Sequence, residues 1–571
     1  MKIITLHCDY IRFKALKKAL KSAEELEIKD EVEVKEPLVI LTAVEQGDSE
    51  ETVKELVNAV EKTAIEVKAK NIVLYPYAHL SPNLANPELA LSLLKKTESQ
   101  LSKKFNVTRA PFGYYKSFEL KCKGHPLSEL SKSFGTVQNK NQSSGKVTEE
   151  AYDPKKLLNE ISRTKLDTSK LKENDHRILG QKLDLFSFNE VAPGMVFWHD
   201  KGLKIYNKLV EYWREEHRKQ DYTEISTPQI MDRKLWEISG HWKLYQENMF
   251  TTKYEGREFA VKPMSCPGGM LVYRNRPRSY KEFPMRVSEL GKVHRLELSG
   301  VLAGLFRVIQ FTQDDAHIFC TEEQLESEII RVIGLFQKML GTFGFKDYRF
   351  SLSTRSEEKK DKYIGSDKIW EEAIDTCSKA LKKIKVPFTK AAGEAKFYGP
   401  SLDVLIKDSL GREWQCSTIQ LDFNTPGRFE LEYVAADGKM HTPIMLHHVV
   451  YGSLERFIGV LLEHTNGRLP TWLAPVQVKV MSFTDKNIKA AEKLFAELKE
   501  AGIRCEIDID SAPVQGKVRN AEMMKIPYII MLGDKEEAAK TLAIRHNEKV
   551  KFGVKKDTFL EDLLKEIKER K

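Results

Sequence analysis

The chain has 571 residues, a charged fraction of 31%, a hydrophobic fraction of 41% and a formal net charge of +9. That length holds three or four domains, and the composition is that of a globular protein, not a disordered or disulfide-stapled one. No run of about eighteen apolar residues occurs, so no membrane-spanning helix is expected, and the positive excess favours an anionic partner, nucleic acid first.

The opening stretch MKIITLHCDY reads as a strand and lacks the apolar region and cleavage site of a signal peptide. The seven cysteines show no CxxC spacing, which argues against a disulfide framework and against a self-contained zinc knuckle. A cytoplasmic protein is therefore expected. After the strand Lys2–Leu6, a helix is predicted over Phe13–Leu26, then a strand over Leu38–Ala43. A long helix follows over Glu50–Ala69, with Val53, Leu56, Val57 and Val60 on one stripe. Strands at Asn71–Tyr75, Asn106–Ala110 and Tyr114–Lys121 flank a helix over Pro87–Lys104. This alternation predicts an α/β domain over residues 1–135.

From Thr136 to Lys146 the segment TVQNKNQSSGK has no aliphatic residue after Val137 and reads as a linker. With a charged helical arm running to Leu185, it fills residues 136–185. The next unit, 186–470, opens on an amphipathic helix over Gly202–Lys219 with Leu203, Ile205, Tyr206, Leu209, Val210 and Trp213 inward, followed by a strand, Tyr222–Ser226. In the last unit, 471–571, strands at Val476–Phe483, Arg504–Ile509 and Tyr528–Leu532 alternate with helices at Asp485–Ala501 and Gly516–Lys525. A final helix is capped by Thr558.

Inside the large unit, SELGKVHRLELSGVLAGLFRVIQFTQDDAHIF predicts a hairpin of strands Gly291–Leu298 and Leu305–Phe319. Arg295 and Glu297 share one face by period-two alternation, and so do Gln313, Asp315 and His317. Charged groups aligned between apolar runs are costly unless a ligand answers them, so the hairpin is expected to line a pocket.

Six stretches in this order, APGMVFWH, KPMSCPG, FTQDDAHIF, KFYGP, WQCSTIQLDF and GSLERFIG, resemble the class II aminoacyl-tRNA synthetases. Among these, the chain looks like the threonyl-tRNA synthetases of archaeal type with an appended editing domain. The resemblance covers nearly the whole chain. It implies a multidomain α/β and α+β fold: a class II antiparallel-sheet catalytic core, an N-terminal α/β editing domain and a C-terminal α/β anticodon-binding domain. It implies a homodimer with the first helix–strand corner at its interface, and ATP, L-threonine and tRNA(Thr) as partners, with no membrane.

By the same resemblance Arg295 holds the α-phosphate of ATP, Glu297 the adenine edge, and Arg307 and Arg456 the outer phosphates, with Mg2+ on the nucleotide. Cys266, His317 and His447 match the family's Zn2+ ligands. His447 and His448 point to opposite faces of a strand, and alternation does not choose between them. Asp315 matches the acceptor for the threonine hydroxyl, and Met264, Gln313, Tyr398, Gln415, Gln420 and Ser453 match residues around the substrate. Gln415 and Gln420, five apart, fall on opposite faces of a regular strand.

Valine is nearly isosteric with threonine, and an apolar pocket separates such isosteres poorly; a metal taking the substrate's amino and hydroxyl groups does so. Serine passes that filter and calls for a second sieve. YPYAHLSPNLA, GYYKSFELKCKGHPLSELS and HCDY resemble the archaeal editing domain, itself related to D-aminoacyl-tRNA deacylases. That match puts His79, Tyr115, Lys116 and Glu129 around a pocket hydrolysing seryl-tRNA(Thr), and it leaves a D-amino-acid deacylase as the rival reading of this domain. In the last domain Glu536 and Arg545 match anticodon-reading positions, whereas Ser511 stands where asparagine is common. A regulatory paralogue without activity is the other class of answer, and the intact Arg295 and Cys266 argue against it.

Overall fold

The computed structural model describes residues 1–20, 23–26, 30–81, 83–125, 127–134, 158 and 171–571. The linker expected over 136–146 and most of the expected arm lie outside these residues. The chain divides into two compact units, Met1–Ala151 and Tyr152–Lys571.

The first unit is built on β1 (Lys2–Lys18), β2 (Val32–Lys35), β3 (Pro37–Ala43), β4 (Asn71–Pro76), β5 (Asn106–Arg109), β6 (Tyr114–Cys122) and β7 (Glu129–Ser133), with helices α1 (Glu50–Glu66) and α2 (Pro87–Leu101). β3, β4 and β5 run parallel; β1 pairs antiparallel with β2, β3, β6 and β7. β3 is buried along its whole length, which explains its unbroken apolar run. The two helices cover one face through Val53, Leu56, Val60, Leu93 and Leu94. The other face gathers Ile11, Phe13, Val39, Val73 and Tyr75.

The helix expected over Phe13–Leu26 is not formed: β1 continues through it to Lys18. Its Ala-, Leu- and Lys-rich composition favours a helix locally. Pairing with β2 and β6, and burial of Ile11 and Phe13 on one face, override that preference.

In the second unit, α3 (His176–Lys182) and α4 (Asp200–Arg218) precede the central sheet in sequence. Ile205, Leu209, Val210 and Trp213 of α4 are buried as the apolar stripe requires, but Leu203 is 44% exposed. Trp213 is fully buried, and Trp213→Ala would cost about 3–5 kcal/mol.

An eight-stranded sheet forms the centre. In chain order it comprises β8 (Thr223–Glu224), β9 (Met285–His294), β10 (Gln310–Cys320), β11 (Tyr348–Thr354), β12 (Phe388–Ala392), β13 (Ser401–Lys407), β14 (Glu413–Asp422) and β15 (Ile444–Val449). Across the sheet the order is β8-β9-β10-β15-β14-β13-β11-β12. All inner pairings are antiparallel, and only the two edge pairs are parallel. The longer helices of this part are α5 (Cys266–Arg274), α6 (Glu322–Thr342), α7 (Asp367–Lys383) and α8 (Leu454–Thr465), and a small three-stranded sheet of Ile230–Asp232, Thr251–Tyr254 and Arg257–Val261 lies between β8 and β9 in sequence. α6 and α8 bury Ile329, Ile333, Phe336, Phe457 and Leu461 in the same apolar core as the sheet.

The C-terminal part is a five-stranded sheet. Its strands are β16 (Val478–Ser482), β17 (Cys505–Asp508), β18 (Tyr528–Leu532), β19 (Thr541–His546) and β20 (Lys549–Lys555), in the order β17-β16-β18-β19-β20. Helices α9 (Ile488–Glu500), α10 (Val514–Met523) and α11 (Lys556–Glu569) accompany it. α11 begins ahead of Thr558, the expected cap, and buries Phe559 and Leu563. The hairpin β19–β20 had no counterpart in the sequence reading.

Among the described residues no helix is long and apolar enough to cross a membrane.

Candidate active site

The expected hairpin exists as β9 and β10, in the register Val287↔His317, Glu289↔Asp315, Gly291↔Gln313. It is shorter at its turn than the sequence suggested. β9 stops at His294, so Arg295 and Glu297 lie beyond the ladder, and residues Gly304–Phe306 form a single helical turn instead of a strand.

A cavity of about 930 Å³ opens on this sheet face. It is lined by Met264, Cys266, Arg295, Glu297, Arg307, Gln313, Asp315, Tyr398, Gln415, Gln420, His447, Ser453 and Arg456. All the expected catalytic and substrate residues therefore converge on one chamber, drawn from nearly two hundred residues of chain.

On one wall Arg295 donates through Nε to the Pro263 carbonyl at 3.1 Å and lies over the Phe311 ring at 5.0 Å. Arg307 pairs with Glu297 at 2.8 Å, and Arg456 donates through Nε to the Phe306 carbonyl at 2.9 Å. Anchoring one edge of a guanidinium to backbone or ring leaves its outer N–H groups aimed and preorganised. Arg295 and Arg456 are held in this way, and with Arg307, which is paired with Glu297, they give three guanidiniums on one wall, a set that suits a polyphosphate.

Deeper in, one donor atom each from Cys266, His317 and His447 lies within 4.8 Å of the others, and all three residues are buried. His317 and His447 are cross-strand partners on β10 and β15, and Cys266 opens α5. The choice between the adjacent histidines is made by the pleat. His447 sits beside Asp422 at 3.2 Å, whereas His448 shares a hydrogen bond with the Tyr222 hydroxyl at 2.7 Å and stacks on His217 in the core.

These residues fit a zinc ion. Nε2 of His317 is buried with no hydrogen-bond partner, which is costly unless an unseen cation uses the lone pair. Burial also pulls His317 well below its usual range, assisted by His447, so its imidazole is neutral and free to ligate. Burial pushes the Cys266 thiol well up, with Asp315 and Asp422 adding to the effect; a cation would reverse that balance and yield the thiolate. One sulfur with two imidazoles is a borderline-soft set that leaves a coordination position open, and Asp422 on His447 is an outer-shell carboxylate of the expected kind.

The irregularity of β14 explains the two glutamines. The pairing of β13 with β14 shifts between Asp403↔Thr418 and Leu405↔Gln415, a bulge that inserts one extra residue on β14. Gln415 and Gln420 thus return to the same face. Gln415 donates to Asp403 at 2.7 Å, and Gln420 accepts the Tyr398 hydroxyl.

Asp315 faces the cavity; burial raises its carboxyl to about 6, partly offset by His447. Its neighbour Asp314 points the other way and accepts the backbone N–H groups of Val450, Tyr451 and Gly452 at 2.9–3.0 Å. Gly452 holds φ +80°, and a Cβ there would lie 2.7 Å from the Cys416 carbonyl oxygen, so only glycine makes this turn without strain. Ser453 then caps α8 and forms an isolated bridge with Gln313. Asp314, Asp422 and the fully buried Lys262–Glu289 pair at 2.9 Å were not anticipated. Of these, the strict alternation of Asp314 and Asp315 was the one legible signal.

In the first unit Lys116 on β6 lies over the Tyr75 ring at 5.0 Å and donates to the Pro111 carbonyl at 2.9 Å. Burial lowers it to about 8. His79 joins the same aromatic group through Tyr77, whose ring is 5.5 Å away, with Phe118 between Tyr75 and Tyr77. Tyr115 is exposed on the next position of β6. Glu129 lies on β7, and its register partner is Leu6, nine residues along β1 from Ala15, the partner of Lys116. Lys116 and His79 thus touch different rings of one aromatic group, Tyr75 and Tyr77, while Glu129 stands apart from Lys116 in the ladder.

In the C-terminal part Arg545 pairs with Glu522 of α10 and stands opposite Ile529 at the start of β18. Glu536 follows the other end of that strand and accepts the Gly533 N–H. Ser511 is exposed in the loop before α10.

Three family models match the chain: an archaea-specific editing domain of threonyl-tRNA synthetase over residues 1–134, a class II tRNA synthetase core domain (G, H, P, S and T) over 250–465, and an anticodon binding domain over 475–570. The threonine–tRNA ligase of Carboxydothermus hydrogenoformans is 44% identical over 460 residues, 80% of this chain and 70% of that protein. The chain belongs to the threonine–tRNA ligase family.

That of Desulfatibacillum aliphaticivorans is 50% identical over 400 residues, 70% of this chain and 62% of its own length, so the chain spans somewhat under two thirds of this family member. Among solved structures, one titled as the RNA binding domain of threonyl-tRNA synthetase from Cryptosporidium parvum Iowa II matches at TM-score 0.65 and 36% identity, over 68% of this chain and 98% of that one. A putative threonyl-tRNA synthetase from Aeropyrum pernix matches at TM-score 0.62 and 28% identity, over 69% of this chain and 97% of that one. The fold is accordingly the family's: an N-terminal editing domain, an antiparallel class II core and an anticodon-binding domain.

Proposed function

We propose that the protein attaches L-threonine to tRNA(Thr) at the expense of ATP and hydrolyses seryl-tRNA(Thr) formed in error. Residues 186–470 act as the catalytic domain, 1–135 as the editing domain, 471–571 as the anticodon reader, and 136–185 as a linker and arm. The observation that carries this reading is the buried cluster of Cys266, His317 and His447, which meets the chamber walled by Arg295, Arg307 and Arg456 through Cys266 and His447, beside Asp315.

In the first step a threonine carboxylate oxygen attacks the α-phosphorus of ATP. The bond to the bridging oxygen breaks and pyrophosphate leaves, giving threonyl-adenylate. Arg295, Arg307 and Arg456 offset the repulsion between the two anions and meet the charge developing on the phosphate oxygens, with Mg2+ accompanying the nucleotide. Asp315 accepts the hydrogen bond of the threonine hydroxyl, while Tyr398, Gln415 and Gln420 border the amino acid. Zinc, when bound, offers Lewis-acid positions to the amino and hydroxyl groups, which valine cannot fill. In the second step a terminal ribose hydroxyl of the tRNA attacks the carbonyl carbon, and AMP leaves.

Serine lacks only one methyl, worth about 1–3 kcal/mol of discrimination, so it is misloaded and must be removed. Lys116 stabilises the oxyanion of the scissile ester as an ammonium, His79 lines the same pocket, and the ribose 2′-hydroxyl helps place water. Because burial lowers Lys116 to about 8, the ammonium is present below that pH and lost above it. Purified protein should charge tRNA(Thr) with threonine, and its seryl-tRNA(Thr) deacylation should fall as pH rises through about 8. Lys116→Met should let seryl-tRNA accumulate and abolish that limb while threonylation continues; unchanged deacylation by this variant would reject the editing role.

The reading includes a homodimer and a reducing, cytoplasmic setting. The family resemblance carries the first, and seven free cysteines support the second.

A further inference from the structure

The segment ahead of the sheet carries a buried histidine that the chemistry above does not use. His176 opens α3 and is 1% exposed. Its backbone N–H donates to Glu463 Oε1 at 3.0 Å, and its Nδ1 lies 2.7 Å from the same oxygen. Its Nε2 accepts the backbone N–H of Leu305 at 2.9 Å. A peptide N–H can only donate, so Nε2 is the bare nitrogen and Nδ1 carries the proton towards Glu463. Glu463 is held from its other side by Arg412, which also grips Asp408 at 2.6 and 2.8 Å. Asp175, His176 and Glu463 lie close enough to suggest a cation site. With both ring nitrogens engaged, His176 has no lone pair left for one.

What this latch holds is the helical turn Gly304–Phe306 between β9 and β10. The Phe306 ring packs 4.1 Å from His176 and 4.3 Å from Trp414. The Phe306 carbonyl accepts Arg456, and Phe306, Arg307 and Arg456 all line the cavity. The fit is tight: Gly304 holds φ +54°, and a Cβ there would lie 2.3 Å from His176 Nε2.

We propose that His176 is a positioning residue for the nucleotide. By holding the Leu305 N–H it fixes the turn whose next carbonyl orients Arg456 and whose next side chain is Arg307. This rests on reading the guanidinium wall as the phosphate site.

The test uses the full chain carrying His176→Ala, His176→Gln or His176→Asn. Glutamine extends to the Nε2 position and can accept from Leu305; asparagine reaches only the Nδ1 position and leaves Leu305 unpaired. In threonine-dependent pyrophosphate exchange, H176A and H176N should raise KM for ATP about tenfold, the scale of one lost buried hydrogen-bond partner. KM for threonine should stay within about twofold of its original value, and H176Q should recover most of the loss. Thermal-shift titration with ATP alone should show the same ranking without any reaction. An ATP response equal in all four proteins, or KM values for ATP and threonine rising together, would overturn the proposal. Absence of exchange in the unaltered protein would instead count against the threonylation reading, with the ATP titration still deciding the role of His176. Should H176A fail to fold, the H176Q and H176N pair decides.

Discussion

Cys266→Ala should lower threonine-dependent pyrophosphate exchange by at least about a hundredfold, because even outer-shell partners of a metal cost 10–100-fold when removed. The thiol is buried at the start of α5, where it meets His317 and His447. Losing one small buried side chain costs only about 1 kcal/mol of stability, so the variant should fold and still bind ATP. Its bound zinc should fall in parallel with exchange, read by metal analysis of the same sample. A folded variant that kept both would show that the sulfur is only a small core group.

Arg295→Ala should lower exchange about 10²–10³-fold, or about 3–4 kcal/mol, the loss expected for one preorganised group facing developing charge. The guanidinium is set by the Pro263 carbonyl on one edge and the Phe311 ring beneath it. Lysine cannot reproduce both contacts and still present a fork, so Arg295→Lys should recover little. Arg307→Ala should cost less: its side chain is 50% exposed and already paired with Glu297, so part of its charge is answered by the protein and screened by water. Equal losses at the two positions would contradict the assignment of Arg295 to the reacting phosphate.

How much of this was legible beforehand depended on the range of the interactions. Periodicity located α1, α4 and the strands β3 and β4 because each is amphipathic or buried along its own length, and it missed the short, half-exposed β2 and β7. It failed at Phe13–Leu26, where helix-forming residues are held as strand by β2 and β6, partners that no local window contains. Alternation also separated Gln415 from Gln420, since a bulge is invisible unless the partner strand is known. Alternation did put His447 and His448 on opposite faces, but only the pairing of β10 with β15 says which face holds Cys266.

The zinc set itself, spread from Cys266 to His447, carries no spacing signal; family resemblance supplied it, and the sheet then placed the three side chains together. Asp314 and His176 escaped for another reason. Their partners are backbone N–H groups of distant turns, and a peptide group looks the same in every sequence.

The central claim is a metal-dependent choice of threonine made in the chamber between β10, β14 and β15. It is tested most directly by pyrophosphate exchange with each of the twenty amino acids, with zinc measured on the same protein before and after chelation. The account predicts about one zinc per chain, strong exchange with threonine, weaker exchange with serine and almost none with valine, all lost on chelation and restored by zinc. Valine exchanging as well as threonine, or exchange surviving complete removal of zinc, would contradict it.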